Sequence, residues 1–146
     1  MRMSLPHREI ACAILIDTSG RYLLQRRDDD PNILYPGKIG LFGGHREGNE
    51  SFSECVVREV HEETGYLAAP ARFEHLGSYA GRDIEASNAT LAGEYYLLRD
   101  VPIEAVTVTE GSLLIAEPRS LSSLAKDFAP SVTMAFGLLR NKPVAL

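Results

Sequence analysis

Glu59, Glu62 and Glu63 are spaced at helical intervals in the middle of the chain. Spacings of i, i+3 and i+4 place side chains on one side of a helix, so these carboxylates would be neighbours. Carboxylates roughly 6 Å apart repel by a few kcal/mol per pair at an effective dielectric near 20, and a cluster that faces the protein body needs a counter-charge. Mg²⁺ or Mn²⁺ meets this need, because hard cations bind carboxylates, waters and substrate phosphates. The glutamates are therefore candidate metal ligands.

A helix over Phe52–Thr64 is expected to carry these glutamates. Ser51 and Glu54 have the spacing of a capping box at its start, and Gly65 stands where a left-handed C-cap glycine belongs. A solvated acidic face is the ordinary interpretation of a Glu-rich helix, but such a face would lie opposite the apolar stripe. On a helical wheel the glutamates instead continue that stripe, which comprises Phe52, Cys55 and Val56, whereas Ser53, Val57, His61 and Thr64 lie on the other side.

The residues around the helix suit the same chemistry. Gly43 and Gly44, in a loop before it, permit backbone conformations and close approaches that a Cβ would forbid, although a tight turn would use them equally well. Arg58 can form a bidentate ion pair with a carboxylate such as that of Glu50 and so orient it. A plain surface salt bridge is the alternative for that pair.

Residues 44–66, which read Gly44-x5-Glu50-x7-Arg58-Glu59-x2-Glu62-Glu63-x-Gly65-Tyr66, resemble the signature of the Nudix hydrolase family. The resemblance implies an α/β fold, a Nudix-type α/β/α sandwich with a mixed β-sheet, in one domain over residues 1–146. It implies divalent-metal-dependent hydrolysis, with Mg²⁺ or Mn²⁺, of a nucleoside diphosphate linked to another group. The metal ligands it implies are Gly44, Glu50, Glu59, Glu62 and Glu63.

The resemblance also assigns a catalytic set of Arg58, Glu59, Glu62 and Glu110. Arg58 would position a ligand carboxylate. Glu110, followed by Gly111 between late strands, resembles a distal glutamate that completes the site in some members, and an exposed loop glutamate is an equal alternative. Either Glu59 or Glu110 would take the proton of the attacking water, and the sequence does not distinguish between them.

The substrate is less constrained, because specificity in this family is set mostly outside the signature. Arg26, Arg27, Gly43 and Tyr79 are the candidate substrate-binding residues. The absence of markers resembling those of other branches favours a MutT-like enzyme that converts a (deoxy)nucleoside triphosphate to a monophosphate and pyrophosphate. A nucleotide-sugar, ADP-ribose or dinucleoside polyphosphate hydrolase and a non-catalytic nucleotide-binding module are the alternatives.

Composition and charge limit the partners and the cellular location that we expect for this protein. The chain of 146 residues has a net charge of −5, which argues against a nucleic-acid partner. The longest apolar run, residues 10–16, is far shorter than the roughly 20 residues that span a bilayer. With no export leader at the start, Cys12 and Cys55 are expected to be thiols in a reducing compartment, which predicts a cytoplasmic protein. The expected partner is a small nucleotide, and a homodimer is compatible with the sequence.

The elements that must position the site follow from hydrophobic patterning and turn residues. The uninterrupted apolar run at 10–16 predicts a strand buried on both faces, and a turn cluster after it predicts a hairpin. Further strands are expected at 21–27, 73–79, 91–98, 106–108 and 113–116, and helices at 121–128 and 132–139.

Overall fold

A mixed sheet of seven strands is the centre of the fold, which the computed structural model describes for residues 5–142. The first strand, β1, runs parallel to β6 and antiparallel to β2 and β4, while β5 pairs with β6, and both β3 and β7 pair with β2. The strands are β1 His7–Asp17, β2 Tyr22–Arg26, β3 Ile39–Gly40, β4 Phe42–His45, β5 Phe73–Arg82, β6 Thr90–Val101 and β7 Ser112–Ala116.

β1 occupies the middle of the sheet because both of its faces are apolar. Its alternate residues enter two separate cores, since successive side chains of a strand point to opposite faces. The prediction of a strand buried on both sides is confirmed. One core takes Ile10, Cys12 and Ile14, and the other takes Ala11, Ala13 and Leu15.

Helices cover the two faces and complete an α/β/α arrangement. Helix α1, Phe52–Thr64, packs Cys55, Val56 and Val60 against one face. A short α2, Leu121–Leu124, precedes α3, Pro130–Arg140, which buries Val132, Ala135 and Phe136 against the other. The described part of the chain also contains 3-10 turns at Pro70–Arg72, Ile103–Ala105, Pro118–Ser120 and Ala125–Asp127. No helix in residues 5–142 has the length and apolarity to cross a membrane.

Three local expectations were wrong. Residues 106–108 form no strand, because the N–H of Thr107 donates to the carbonyl of Thr64 at 2.9 Å and so binds the end of α1 instead of a strand. The helix expected at 121–128 is α only to Leu124, since Phe128 turns to extended backbone and stacks on Phe136. Thr64 is buried rather than on the outer side, and its hydroxyl donates to the carbonyl of Val60 at 2.6 Å.

The glycine-rich segment before α1 was also expected to be a loop, and it contains β4. Gly43 and Gly44 lie opposite Cys12 and Ala11 in the antiparallel ladder with β1. A Cβ on Gly43 would stand 2.3 Å from the carbonyl oxygen of Ala11, so this close strand pairing requires glycine. The site therefore has a strand, rather than a flexible turn, on one side.

Gly111 provides a test of how tightly the loop before β7 is fixed. Its φ is +67°, and an added Cβ would lie 2.4 Å from the carbonyl oxygen of Arg26, whereas Gly20, with φ +85°, has open space at that point. Gly20→Ala should cost about 1 kcal/mol for the left-handed backbone alone, and Gly111→Ala roughly 3 kcal/mol, because the clash must also be relieved. Urea denaturation measures both values, and equal losses would show that the close approach is unimportant.

Candidate active site

Hydrogen-bonded caps fix both ends of helix α1. The Ser51 hydroxyl accepts the N–H of Glu54 at 3.0 Å, and the Glu54 carboxylate accepts the N–H of Ser51 at 2.8 Å. Gly65 ends the helix at φ +77°, with its N–H donated to the carbonyl of His61 at 2.8 Å. Both caps are those expected, and the buried apolar residues fix the rotation of the helix.

The second half of α1 presents its glutamates to a shared cavity of about 200 Å³, here called the acidic cavity. Glu59 and Glu63 lie on its protected side, whereas the side chain of Glu62 is 57% exposed at its mouth. The cavity is lined by Gln25, Glu59, Glu62, Glu63, Thr109 and Glu110. Glutamates from α1 and from a distant loop are therefore brought together, as the resemblance implied.

Glu110 reaches this cavity because its loop is bonded to β2. Gln25 donates its amide to the carbonyl of Glu110 at 2.8 Å, and Gly111 passes closely over the backbone of Arg26. Glu110 is both solvent-exposed and part of the cavity wall, so the two interpretations of its sequence position are compatible. Gln25 was not singled out from the sequence, although a glutamine inside a buried apolar strand is a recognisable signal.

Arg58 links three carboxylates beside the acidic cavity. Its guanidinium binds Glu50 through two contacts, of 2.9 and 2.6 Å, and donates to Glu59 at 2.9 Å and to Glu62 at 3.2 Å. A further N–H donates to the carbonyl of His45 at 3.0 Å. The hydrogen bonds from Arg58 lower the pKa of Glu50 to about 2. Glu50 thus faces Arg58 and does not line the acidic cavity.

The two glycines of β4 touch the other carboxylates. The N–H of Gly43 donates to Glu63 at 2.7 Å. A Cβ on Gly44 would lie 2.6 Å from the carboxyl carbon of Glu59, so any larger residue would displace that side chain. The carbonyl of Gly44 faces the sulfur of Cys55 at 3.5 Å. The backbone of β4 therefore lies against two of the carboxylates that line the acidic cavity.

Burial and like charge together perturb Glu63. The pKa of Glu63 is raised to about 7, mainly because the carboxyl group is buried. The hydrogen bond from the Gly43 N–H lowers this pKa. The nearby carboxylates raise it further, and they are those of Glu59, Glu110 and Glu62. Ionisation of Glu63 is therefore disfavoured in the folded chain without a cation.

A second cavity, of about 340 Å³ and here called the cleft, adjoins the same glycines. Arg27 lines it, while the neighbouring Arg26 is not among its lining residues and contacts the carbonyl of Gly37 at 3.1 Å and Asp127 at 3.4 Å. Tyr79 lies on β5, outside both cavities, and its hydroxyl donates to the carbonyl of Arg82. Other residues of the cleft, which gave no sequence signal, include Arg8, Tyr35, Glu85 and Ser131.

This arrangement agrees with the comparison to known families. The sequence profile of the NUDIX domain matches residues 6–115. The chain belongs to the Nudix family.

Named relatives of this Nudix chain match part of its length. The nucleoside triphosphatase NudI of Escherichia coli O139:H28 is 41% identical over 58 residues, which are 40% of this chain and 40% of that protein. The ADP-ribose pyrophosphatase of Methanocaldococcus jannaschii is 35% identical over 77 residues, 53% of this chain and 43% of that protein. The chain thus spans less than half the length of these curated relatives.

Solved structures share the whole fold at low identity. The MutT protein of Methanosarcina mazei Go1 superposes with a TM-score of 0.76 at 22% identity, covering 97% of this chain and 100% of that one. The bifunctional NMN adenylyltransferase/ADP ribose pyrophosphatase of Francisella tularensis, solved with AMP and a manganese ion, gives a TM-score of 0.73 at 13% identity over 95% of this chain and 42% of that one. These neighbours establish the α/β fold.

The donor set of the acidic cavity suits a hard divalent cation. Its lining oxygens come from carboxylates, an amide and a hydroxyl, and burial together with the neighbouring carboxylates raises the pKa of Glu63. Within residues 5–142, no three His, Cys, Asp or Glu side chains are already arranged to hold a metal ion. Arg58 binds one oxygen of Glu59 and the Gly43 N–H binds one oxygen of Glu63, which leaves the second oxygen of each carboxylate for a cation.

The raised pKa of Glu63 has a consequence for stability in the presence of a chelator. The pKa of Glu63 is higher in the folded chain than its ordinary value of 4.5, so its ionisation destabilises the fold progressively between about pH 4.5 and about pH 7 and by a constant amount above that. Glu63→Gln, which stays neutral, should therefore match the wild type at pH 4 and exceed its unfolding free energy by about 1 to 3 kcal/mol at pH 8.

Guanidinium denaturation in EDTA at the two pH values measures this difference. Glu104→Gln, at an exposed position, is the matched control and should show no such pH dependence. A Glu63→Gln advantage that is the same at both pH values would contradict the shifted ionisation.

Proposed function

We propose that this chain is a divalent-metal-dependent pyrophosphohydrolase that converts a (deoxy)nucleoside triphosphate to a nucleoside monophosphate and pyrophosphate. One observation carries the proposal: Gly43 and Gly44 contact the carboxylates of α1 and also line the cleft. A phosphate chain lying across these glycines would have its nucleoside in the cleft and its anhydride bond beside the acidic cavity. No side chain at either glycine blocks that approach.

We assign separate roles in hydrolysis to the residues of the acidic cavity and to Arg58. Glu59 and Glu63 are the inner candidates for holding Mg²⁺ or Mn²⁺, with Glu62 at the mouth. A bound cation would neutralise phosphate oxygens and acidify a water molecule. Arg58 keeps Glu59 oriented, and Glu110 faces α1 from the opposite loop, where it can accept the proton of the attacking water. We assign this proton to Glu110 because Glu59 is already bound to Arg58.

The size and charge of the cleft favour a free nucleotide over a polymer. A volume of about 340 Å³ suits one small molecule, and Arg27 provides positive charge inside an acidic chain. NudI, named as a nucleoside triphosphatase, supports the triphosphate, and the relative named as an ADP-ribose pyrophosphatase makes ADP-ribose the second candidate.

Hydrolysis of a substrate panel tests the proposal directly. Nucleoside triphosphates, ADP-ribose, nucleotide sugars and dinucleoside polyphosphates are each incubated with Mg²⁺ or Mn²⁺, and monophosphate and pyrophosphate are quantified. Release of pyrophosphate and monophosphate from a triphosphate supports the proposal. Turnover confined to ADP-ribose would favour the second candidate, and nucleotide binding without turnover would identify a binding module.

Glu63→Gln should lower kcat by at least about 100-fold on the best substrate of the panel. The amide keeps the size of the side chain and can still accept the Gly43 N–H, but it removes the negative charge on which cation binding depends. Circular dichroism checks that the variant folds, and Glu104→Gln should retain full activity. Near-normal turnover of Glu63→Gln at saturating Mg²⁺ would refute the assignment.

Two consecutive arginines give a matched test of the cleft. Arg27→Ala should raise KM roughly tenfold or more, because Arg27 lines the cleft and a hydrogen bond to a charged group contributes about 1.5 to 3 kcal/mol. Arg26→Ala, whose side chain contacts Asp127 and does not line the cleft, should leave KM unchanged even if it lowers Tm. Equal KM values for wild type and Arg27→Ala would remove Arg27 from substrate binding.

A further inference from the structure

Strand β5 forms one edge of the sheet, at the side opposite β3. In the described part of the chain its strand partner is β6, and its other side has none. The second half of β5 is also open to solvent, since Ser78, Ala80, Gly81 and Arg82 are all exposed. An exposed edge presents backbone N–H and C=O groups that can pair with a further strand. This half of β5 is therefore a candidate interaction surface.

The ladder with β6 determines which backbone groups of β5 face outward. The N–H of Asp83 donates to the carbonyl of Ala89 at 2.9 Å, immediately beyond the last residue pair of the ladder. Hydrogen-bonded and non-hydrogen-bonded pairs alternate along an antiparallel ladder, so Gly81 and Tyr79 also bond to β6. The residues between them direct their N–H and C=O groups away from β6, and they are Ser78, Ala80 and Arg82.

These outward groups are largely free. Within residues 5–142, no loop backbone and no side-chain oxygen accepts the N–H of Ser78, Ala80 or Arg82. One of the three carbonyls, that of Arg82, accepts the hydroxyl of Tyr79. Three adjacent donors on an exposed edge can thus be satisfied by a strand laid alongside them, at little cost in bonds already made.

We propose that a second copy of this chain pairs with this edge, strand against strand, about a two-fold axis at Ala80. In this antiparallel register Ala80 lies opposite the partner's Ala80, and Ser78 lies opposite the partner's Arg82. Every residue in these pairs faces outward, so the donors of each strand meet the carbonyls of the other. The surface is self-complementary, as a two-fold interface requires. The two sheets become one continuous sheet.

The side chains of this register match on both faces of the sheet. On one face Tyr79 lies opposite the partner's Gly81, and an aromatic ring beside an edge glycine is a favourable cross-strand arrangement. The ring already lies over Gly81 of its own strand, where an added Cβ would be 3.4 Å from the Tyr79 hydroxyl. Tyr79, which lines neither the cleft nor the acidic cavity, thereby acquires a role at the interface.

Charge on the other face also favours a second copy. The hydroxyl of Ser78 donates to Oε1 of Glu94 at 2.8 Å, and Nε2 of His75 contacts the same oxygen at 3.1 Å. The other oxygen, Oε2, has no such contact among residues 5–142. In the proposed register the partner's Arg82 is two strand spacings from Glu94, about 10 Å between Cα atoms, which the two side chains can bridge. The two-fold axis forms this ion pair twice.

Sedimentation equilibrium tests the proposal. The paired segment, residues 78–82, is short, so we expect a concentration-dependent equilibrium between monomer and dimer. Ala80→Pro removes the central outward N–H, and proline is tolerated where an edge N–H faces solvent. It should raise the Kd of the dimer at least about tenfold, because the two-fold axis loses two hydrogen bonds.

Ala80→Thr is the matched control. It keeps the N–H and favours a strand, so its Kd should stay close to that of the wild type. Circular dichroism and thermal unfolding check that both variants fold. A wild type that remains monomeric at all concentrations, or a dimer that is equally stable in Ala80→Pro, would overturn the proposal.

A disulfide at the two-fold axis tests the register even where the dimer is weak. Directly opposite residues of a hydrogen-bonded pair have Cα atoms about 5.5 Å apart, within the range that a disulfide spans. Under mild oxidation Ala80→Cys should give a covalent dimer at least about tenfold faster than Glu104→Cys, an exposed position outside β5. The wild type, with buried Cys12 and Cys55, should remain uncrosslinked on a non-reducing gel. Equal rates for the two cysteine variants would contradict the axis at Ala80.

Exchange of the two charges identifies the partner as another copy of the chain. Arg82→Glu and Glu94→Arg should each raise the dimer Kd roughly threefold or more, because each places like charges together twice. The double variant restores both pairs and should recover most of the wild-type affinity. A double variant as weak as the more impaired single variant would overturn the pairing of Arg82 with Glu94.

Discussion

Repulsion among four glutamates is the constraint around which this structure is organised. Glu59, Glu62, Glu63 and Glu110 share the wall of one small cavity, and the folded chain must hold them there against their mutual charge. Arg58 offsets part of it, and a backbone N–H from β4 offsets another part. Burial and the remaining repulsion together raise the pKa of Glu63. The site thus stores unfavourable electrostatic energy that cation binding would release.

Hydrophobic packing of α1 offsets the electrostatic repulsion within the glutamate cluster. Cys55, Val56 and Val60 are fully buried against β1 and β4, so rotation of the helix that would carry the glutamates into solvent would also expose this core. Glycines in β4 let the strand approach closely enough for the carboxylates to touch backbone. Hydrophobic burial and small residues therefore hold charges in positions that they would not adopt by themselves.

Prediction from sequence succeeded where the determining interactions are local. The caps of α1, the buried strand β1 and the convergence of the α1 glutamates all follow from residues close in the chain. It failed where a distant contact decides the conformation, as when the Thr107 N–H binds the end of α1, or Phe128 leaves its helix to stack on Phe136.

The cleft illustrates the same limit. Arg8 and Ser131 are separated by most of the chain, and only the sheet topology brings them to one cavity with Glu85. The sequence also does not reveal which of the two consecutive arginines, Arg26 or Arg27, lines the cleft. Glu50 belongs to the recognisable sequence pattern, but its carboxylate binds Arg58 through two hydrogen bonds and does not line the acidic cavity.

The hydrogen bond from the amide of Gln25 to the carbonyl of Glu110 affects how a site of this kind can change during evolution. It anchors the main chain of the loop and leaves the Glu110 side chain outside the helical scaffold that carries the other carboxylates. Loops tolerate insertions and deletions far better than helices do. Lineages could thus relocate this acidic group, or replace it from another loop, while inheriting the α1 cluster intact.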